Sequence, residues 1–276
     1  MLKAIVALLL FGACHITTSL VALLWLNREN LMNEQHMDNS LILTHPETSG
    51  IALLIGAVIT IGLLIVTKIA RKSAVSSLIK RPSKGYLPAL GSIIVLAIGF
   101  SFVLSPFDLA DNGTTELFNA MKNNPWCLLL LCVVGPLLEE FVFRESILRN
   151  LAIKTMPPLA AAAVSAFLFG IVHGNWAQII PAAIIGFIFG LFYIRTGNLQ
   201  LSAGAHILNN SMGVALMFFP EIETWTKGFS LPLCLVIGGL LVLSGMVLLN
   251  VWWKQSGPSR LIGKALQHPQ ETTSKI

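Results

Sequence analysis

Three ionisable residues fall within six positions of one apolar block: Glu139, Glu140 and Arg144. An ionised side chain at the centre of a membrane helix costs roughly 2.5 to 3.5 kcal/mol on insertion scales, so three unpaired charges would cost on the order of 8 to 10 kcal/mol. They must be paired, protonated or open to a water-filled cavity. Glu140 and Arg144 are four apart with the acid N-terminal to the base, the favourable order for an ion pair on one helix face. Glu139 is rotated by about 100° from Glu140 and is expected to face a different neighbour. One carboxylate can then hold the helix while the other stays free for chemistry. Two more polar pairs lie in apolar blocks: His173 follows Phe169 by four, and Asn210 follows His206 by four. Two imidazoles, a carboxylate and a carboxamide converging inside a membrane would meet the needs of hydrolysis by water: a base for the proton and donors for the developing oxyanion. Singly, each has a plainer role. A lone membrane histidine such as His15 is more often a packing residue, and a Glu-Arg pair can be a structural lock or a transport element. Only their conjunction points to catalysis.

The elements that must position these residues are membrane helices. Of the 276 residues, 55% are hydrophobic and 11% charged, with a mean hydropathy of +0.77. An ordinary soluble domain carries roughly a quarter charged residues, so a soluble enzyme is excluded. The apolar blocks approach the roughly 20 residues that a helix needs to cross the hydrocarbon core. The fold class is therefore all-α and polytopic, with about eight spans near residues 2–26, 49–69, 87–104, 126–151, 157–174, 177–194, 200–219 and 229–253. Gly135 and Pro136 permit a kink just before the two glutamates. Ala160 to Ala163, Gly170, Gly174 and the GxxxG pair Gly186 and Gly190 allow close packing of spans five and six. His173 lies some 16 residues into span five, about 24 Å along an ideal helix. Tilt or a deeper start must bring it to the level of Glu139.

The net charge of +5 and pI near 9.2 reflect orientation, not nucleic-acid binding. With the N-terminus cytoplasmic, 14 basic residues fall inside: Lys3, Lys68, Arg71, Lys72, Lys80, Arg81, Lys84, Arg149, Lys154, Arg195, Lys254, Arg260, Lys264 and Lys275. Arg28, Lys122 and Lys227 fall outside. The positive-inside rule thus selects cytoplasmic N- and C-termini in an integral membrane protein. Trp25, Trp126, Trp176, Trp252 and Trp253 are expected as interfacial anchors. Cys14, Cys127, Cys132 and Cys234 read as small buried hydrophobes. The first apolar run continues to Leu26, past a normal signal core, and is expected to be retained as a span. The polar stretch 254–276 is expected to be a flexible cytoplasmic tail.

The pattern Glu139-Glu140-x-x-x-Arg144, Phe169-x-x-x-His173 and His206-x-x-x-Asn210 resembles the three motifs of the CPBP family, also called the Abi or type II CAAX prenyl endopeptidase family of intramembrane proteases. The resemblance covers roughly residues 120–220, with N-terminal helices over 1–119 and a last span over 221–253. It implies an eight-helix protease with its cavity sunk in the bilayer and open toward the cytosol. By that resemblance Glu139 activates water with help from His173, His206 and Asn210 stabilise the oxyanion, and Glu140 and Arg144 hold helix four. The family is described both as zinc metalloproteases and as glutamate-dependent proteases without metal. Zinc on Glu139, His173 and His206, with an open fourth position, and a metal-free mechanism therefore both stay open. The GxSG, GxGD and HExxH motifs of other protease classes do not occur. The expected partners are a peptide or protein substrate at the membrane, of CAAX or leader and bacteriocin type, and the bilayer itself. The alternative is a non-proteolytic membrane regulator or bacteriocin-immunity protein on the same fold.

Overall fold

The computed structural model describes residues 1–79 and 85–258. Eight helices dominate: α1 Leu2–Leu26, α2 Pro46–Val66, α3 Tyr86–Leu104, α4 Pro125–Lys154, α5 Pro158–Ile171, α6 Trp176–Thr196, α7 Gln200–Leu216 and α8 Leu231–Gln255. No strand occurs among the described residues. Six of the eight are long and apolar enough to cross a membrane; α5, with 14 residues, and α7, with 17, are shorter. At 1.5 Å per residue α5 is about 21 Å long, less than the hydrocarbon thickness. These two short helices are the ones that carry His206 and Asn210 and, just past the end of α5, His173. The protein is thus an all-α, polytopic integral membrane protein, with eight an approximate count of its spans.

Local chemistry sets the ends. Asn124 caps α4 by accepting from the backbone N–H groups of Trp126 and Cys127, with Pro125 in the first turn. Asn175 caps α6 by accepting from Gln178 N–H, and Gly197, at φ 68°, closes it in the left-handed conformation that suits glycine. One end of the bundle gathers both chain ends of the described structure. The Met1 ammonium donates to Thr155 Oγ1 (3.3 Å), Lys3 Nζ to the Lys68 carbonyl (2.6 Å) and Arg195 Nη2 to the Trp253 carbonyl (2.8 Å). Lys80, Arg81, Lys84, Arg260, Lys264, Lys275 and the tail after Pro258 lie outside the described residues.

The described residues form three apolar clusters. The first joins α1, α2, α4, α5 and part of α6; the second joins α3, α6, α7 and α8; a small third one holds Met121, Cys127 and Leu130. Small residues allow the helices to close up: a Cβ on Gly99 of α3 would lie 3.1 Å from the Gly238 carbonyl of α8, and one on Gly190 of α6 would lie 3.1 Å from Ala162 of α5. In α4, all eight residues of Phe141–Leu148 are buried. A helix buried all round is a central one, and here it carries Arg144 and Glu145 into the core. Trp252 departs from the expected interfacial belt. It is fully buried against Phe192, because α8 turns that ring into the bundle, whereas Trp25, Trp126 and Trp176 are exposed.

Candidate active site

α4 is not a regular helix. Two π-helical stretches, Leu130–Val134 and Phe141–Leu148, bracket the α-helical turn Gly135–Glu140. In a π turn the backbone bonds span five residues, and such turns recur at functional sites. Gly135 is required there, since a Cβ would come within 2.8 Å of the Leu130 carbonyl five residues back. Ser146 Oγ donates to the Phe141 carbonyl, again five back, at 2.8 Å. The expected kink near Gly135 and Pro136 thus takes the form of local unwinding.

The predicted pair forms. Arg144 Nη1 lies 2.9 Å from Glu140 Oε1, with both side chains essentially fully buried. Arg144 Nη2 donates to the Gly186 carbonyl of α6 (2.9 Å), and the guanidinium lies over the rings of Phe169 (4.6 Å) and Phe189 (5.4 Å). Gly186 has to be glycine, because a Cβ would fall 2.6 Å from Phe169 Cδ1 and 3.2 Å from Arg144 Nη2.

The two carboxylates do not face different neighbours. His206 of α7 stands between them, with Nδ1 3.1 Å from Glu140 Oε1 and Nε2 3.4 Å from Glu139 Oε2. The 100° rotation is bridged because the imidazole presents its two nitrogens on different edges. What separates the acids is exposure: the Glu140 side chain is 0% exposed and that of Glu139 23%. Glu140 is locked between Arg144 and His206, and Glu139 keeps an open edge.

His173 comes to this site through Phe169. Ser165 Oγ donates to the Phe143 carbonyl (2.7 Å), a contact that sets the antiparallel register of α5 on α4. It puts Phe169 near the level of Glu139 and His173 one turn further. The ring of Phe169 lies edge to face with both His173 (4.9 Å) and His206 (5.5 Å). His173 Nδ1 bonds the Phe169 carbonyl (2.7 Å). The depth mismatch expected from span lengths does not arise, because α4 continues to Lys154 and α5 folds back along it from that corner. Asn210 stands apart, donating from Nδ2 to the Leu131 carbonyl (3.2 Å), eight residues before Glu139. No group of three or more His, Cys, Asp or Glu side chains placed to hold a metal ion occurs among the described residues. Glu139, His173 and His206 are not gathered as a ligand set in this arrangement.

One cluster lies outside the sequence motifs. Glu145, fully buried beside Arg144, takes a two-pronged salt bridge from Arg71 (2.6 Å to Oε1, 2.8 Å to Oε2), a bond from the Arg71 backbone N–H (3.1 Å) and one from the Tyr193 hydroxyl (2.5 Å). Arg71 lies outside the spans, and its bonds to Glu145 hold its pKa above the ordinary arginine value. The signal for Glu145 was its place in an apolar block four residues before Arg149; the signal for Arg71 was masked by its role as an inside charge.

Residues 121–212 match the type II CAAX prenyl endopeptidase Rce1-like family, a segment that holds all three motifs. Over that segment the match supports the resemblance to the CPBP family. The family segment runs from the end of the α3–α4 connection to α7 and contains Glu139, Glu140, Arg144, Phe169, His173, His206 and Asn210. Among curated relatives, the chain is 30% identical over 128 residues to the "Putative membrane peptidase YdiL" of Bacillus subtilis (strain 168), covering 46% of this chain and 52% of that protein. It is 28% identical over 164 residues to the "Membrane-embedded CAAX protease MroQ" of Staphylococcus aureus (strain USA300), covering 55% and 66%. The matches thus span about half to just under two thirds of those relatives' lengths. No solved structure matches.

Proposed function

We propose that this protein is a member of the CPBP family and an intramembrane endopeptidase that hydrolyses a peptide bond with water activated by Glu139. The observation that carries the reading is the asymmetry of the two acids. Glu140 is sealed in an ion pair with Arg144 and His206, while the neighbouring Glu139 keeps 23% of its side chain open. A carboxylate with an open edge inside an apolar bundle can hold a water and take its proton.

In that reaction the water oxygen attacks the scissile carbonyl carbon as Glu139 takes the proton, and the carbonyl oxygen becomes an oxyanion. Collapse breaks the C–N bond, and Glu139 returns the proton to the leaving nitrogen. By the family resemblance, His173 assists the base, and His206 and Asn210 face the oxyanion. His206 begins between the two carboxylates, within reach of both. Asn210 has to leave the Leu131 carbonyl to take part. Because Glu139, His173 and His206 are not gathered as ligands, no step is routed through a metal.

The substrate class proposed is a membrane-associated peptide or protein of CAAX or leader and bacteriocin type. The printed names of the two relatives, a membrane peptidase and a CAAX protease, support it. The end of the bundle that holds both chain ends is proposed to face the cytoplasm of a bacterial cell, on the distribution of basic residues.

The test is cleavage of a panel of prenylated and unprenylated peptides by the purified full chain in detergent or liposomes, as wild type and Glu139→Gln, with and without chelator. Cleavage by wild type that is lost in Glu139→Gln is expected. Equal turnover by the two would remove Glu139 from the chemistry. No cleavage by either, with the cellular phenotype kept in the variant, would favour the non-proteolytic regulator. Chelator sensitivity would assign a metal.

A further inference from the structure

α4 runs from one end of the bundle to the other, with Glu139 midway between Pro125 and Lys154. Its two halves are packed differently. Between Glu139 and the end where the chain ends meet, all eight residues of Phe141–Leu148 are buried, whereas residues 131–135 on the other side are all partly exposed. α6 and α7 repeat the contrast. Residues 177–184 of α6 are partly exposed without a break, and nine of the twelve residues 185–196 are buried. In α7, residues 207–212 are partly exposed, whereas Leu201, Ser202, Ala203, Ala205 and His206 are buried. A helix that turns one face to lipid alternates buried and exposed positions every three or four residues; these unbroken runs cover the whole circumference. The three helices therefore stand apart in the half away from the chain ends and close up in the other.

The gap is open where it leads to the site. Gly213 follows His206 by seven residues, about two turns along α7 and on nearly the same face. It is exposed, and a Cβ there would meet nothing within 4 Å. α4 and α7 are tied on either side of it. Asn210 Nδ2 donates to the Leu131 carbonyl (3.2 Å) on the side of the site, and Lys122 Nζ, from just before α4, donates to the Met217 carbonyl (2.9 Å) at the rim. Beside His173 the rim is fixed by Asn112 Nδ2 on the Gly174 carbonyl (3.2 Å) and Asn175 Nδ2 on Thr114 Oγ1 (3.0 Å). Toward the chain ends, the space beyond Glu139 is filled by the pair of Glu140 and Arg144, then by Glu145 with Arg71 and Tyr193. The family resemblance implies a cavity open toward the cytosol; with the basic residues inside, the packing opens the other way.

We propose that the peptide enters from the end of the bundle opposite the chain ends, between α4, α6 and α7 and past Gly213. The substrate is then a peptide presented at the outer face of the membrane, of leader or bacteriocin type, and not a CAAX tail held in the cytosol. This rests on the peptidase reading above. Glu139 lies about half of the roughly 30 Å hydrocarbon core from that face, so the entering segment must offer on the order of five extended residues. Its peptide groups can take over the bond that Asn210 makes to the Leu131 carbonyl.

The test uses the full chain in detergent, as wild type, Gly213→Trp and Ala215→Trp, with the peptide that wild type cleaves best. Ala215 is also exposed but is rotated by about 200° from Gly213. Gly213→Trp fills the gap and is expected to raise KM by about tenfold, while Ala215→Trp stays within about twofold of wild type. Melting of the same preparations checks that both are folded. An unchanged KM in Gly213→Trp, or an equal rise in both variants, would overturn the entry route and leave the Glu139 reading standing. That reading fails separately, if Glu139→Gln turns over normally.

A second measurement needs no turnover. Gly213→Cys and Ala215→Cys are made in a chain whose native cysteines are replaced by alanine, and intact cells are treated with a charged methanethiosulfonate, which attacks thiols in contact with water. Gly213→Cys should react several-fold faster than Ala215→Cys, although Ala215 is nearer the end of α7 at Leu216. Equal rates, no reaction at either, or reaction of Gly213→Cys only after lysis would sink the proposal whatever the peptide assay returns.

Discussion

Apart from the His206 imidazole, Arg144 is the only cationic side chain paired with the Glu140 carboxylate among the described residues, and removing it takes that charge out of the core. Breaking one side of a buried pair costs about 3 to 5 kcal/mol, so Arg144→Met should lower the unfolding midpoint of the protein in detergent sharply. The double variant Glu140→Gln with Arg144→Met, which leaves no buried charge in that pair, should recover most of the loss. Gly186→Ala makes a different demand. Its Cβ would fall 2.6 Å from Phe169 Cδ1, so the ring on which His173 and His206 both rest must shift. Overpacking of this kind costs about 1 to 3 kcal/mol, and the displaced ring should depress turnover more than it depresses stability. Melting and kcat measured on the same preparation separate the two effects.

At the scale of elements, α4 is pinned from within its second π-helical stretch. Arg144 ties it to Gly186 in the middle of α6, and Glu145 ties it to Tyr193 near the end of α6 and to Arg71 after α2. Consecutive residues thus reach two turns of one neighbouring helix. Glu145→Gln keeps the shape and removes the charge, and the loss of charge-assisted bonds should cost about 2 kcal/mol. The cost is held down because Arg71 is partly exposed and can turn to water. Folding raises the Arg71 pKa, so its contribution is fully present below the ordinary arginine value and is lost only as pH climbs through the raised one. The wild-type advantage over Arg71→Ala should therefore be flat across neutral pH in thermal melts. A difference that disappears between pH 6 and about 9 would contradict the pairing.

For the whole molecule, the first and last described residues lie at one end of the bundle, bonded through Met1 to Thr155 and Arg195 to Trp253; with the basic residues on that side, reporters fused before Met1 and after Ile276 are expected to give the same cytoplasmic signal. A cysteine placed at Ser40 should react with an impermeant reagent from outside the cell. Labelling of Ser40→Cys only after lysis would reverse the orientation.

Membrane residence, helix positions and the ion pair from Glu140 to Arg144 were legible in the residues alone, because hydropathy and i,i+4 spacing act within one segment. The three motifs were legible for the same reason. What joins segments was not. His206 is 66 residues from Glu140, and Arg71 is 74 from Glu145; neither contact has a local period to announce it. Sequence spacing rotated Glu139 away from Glu140, whereas tertiary packing set one imidazole between them. Which acid is sealed and which is open depends on how α4, α6 and α7 close around Phe169. Only the three-dimensional arrangement sets that exposure, because burial belongs to the neighbours of a side chain and not to the side chain itself.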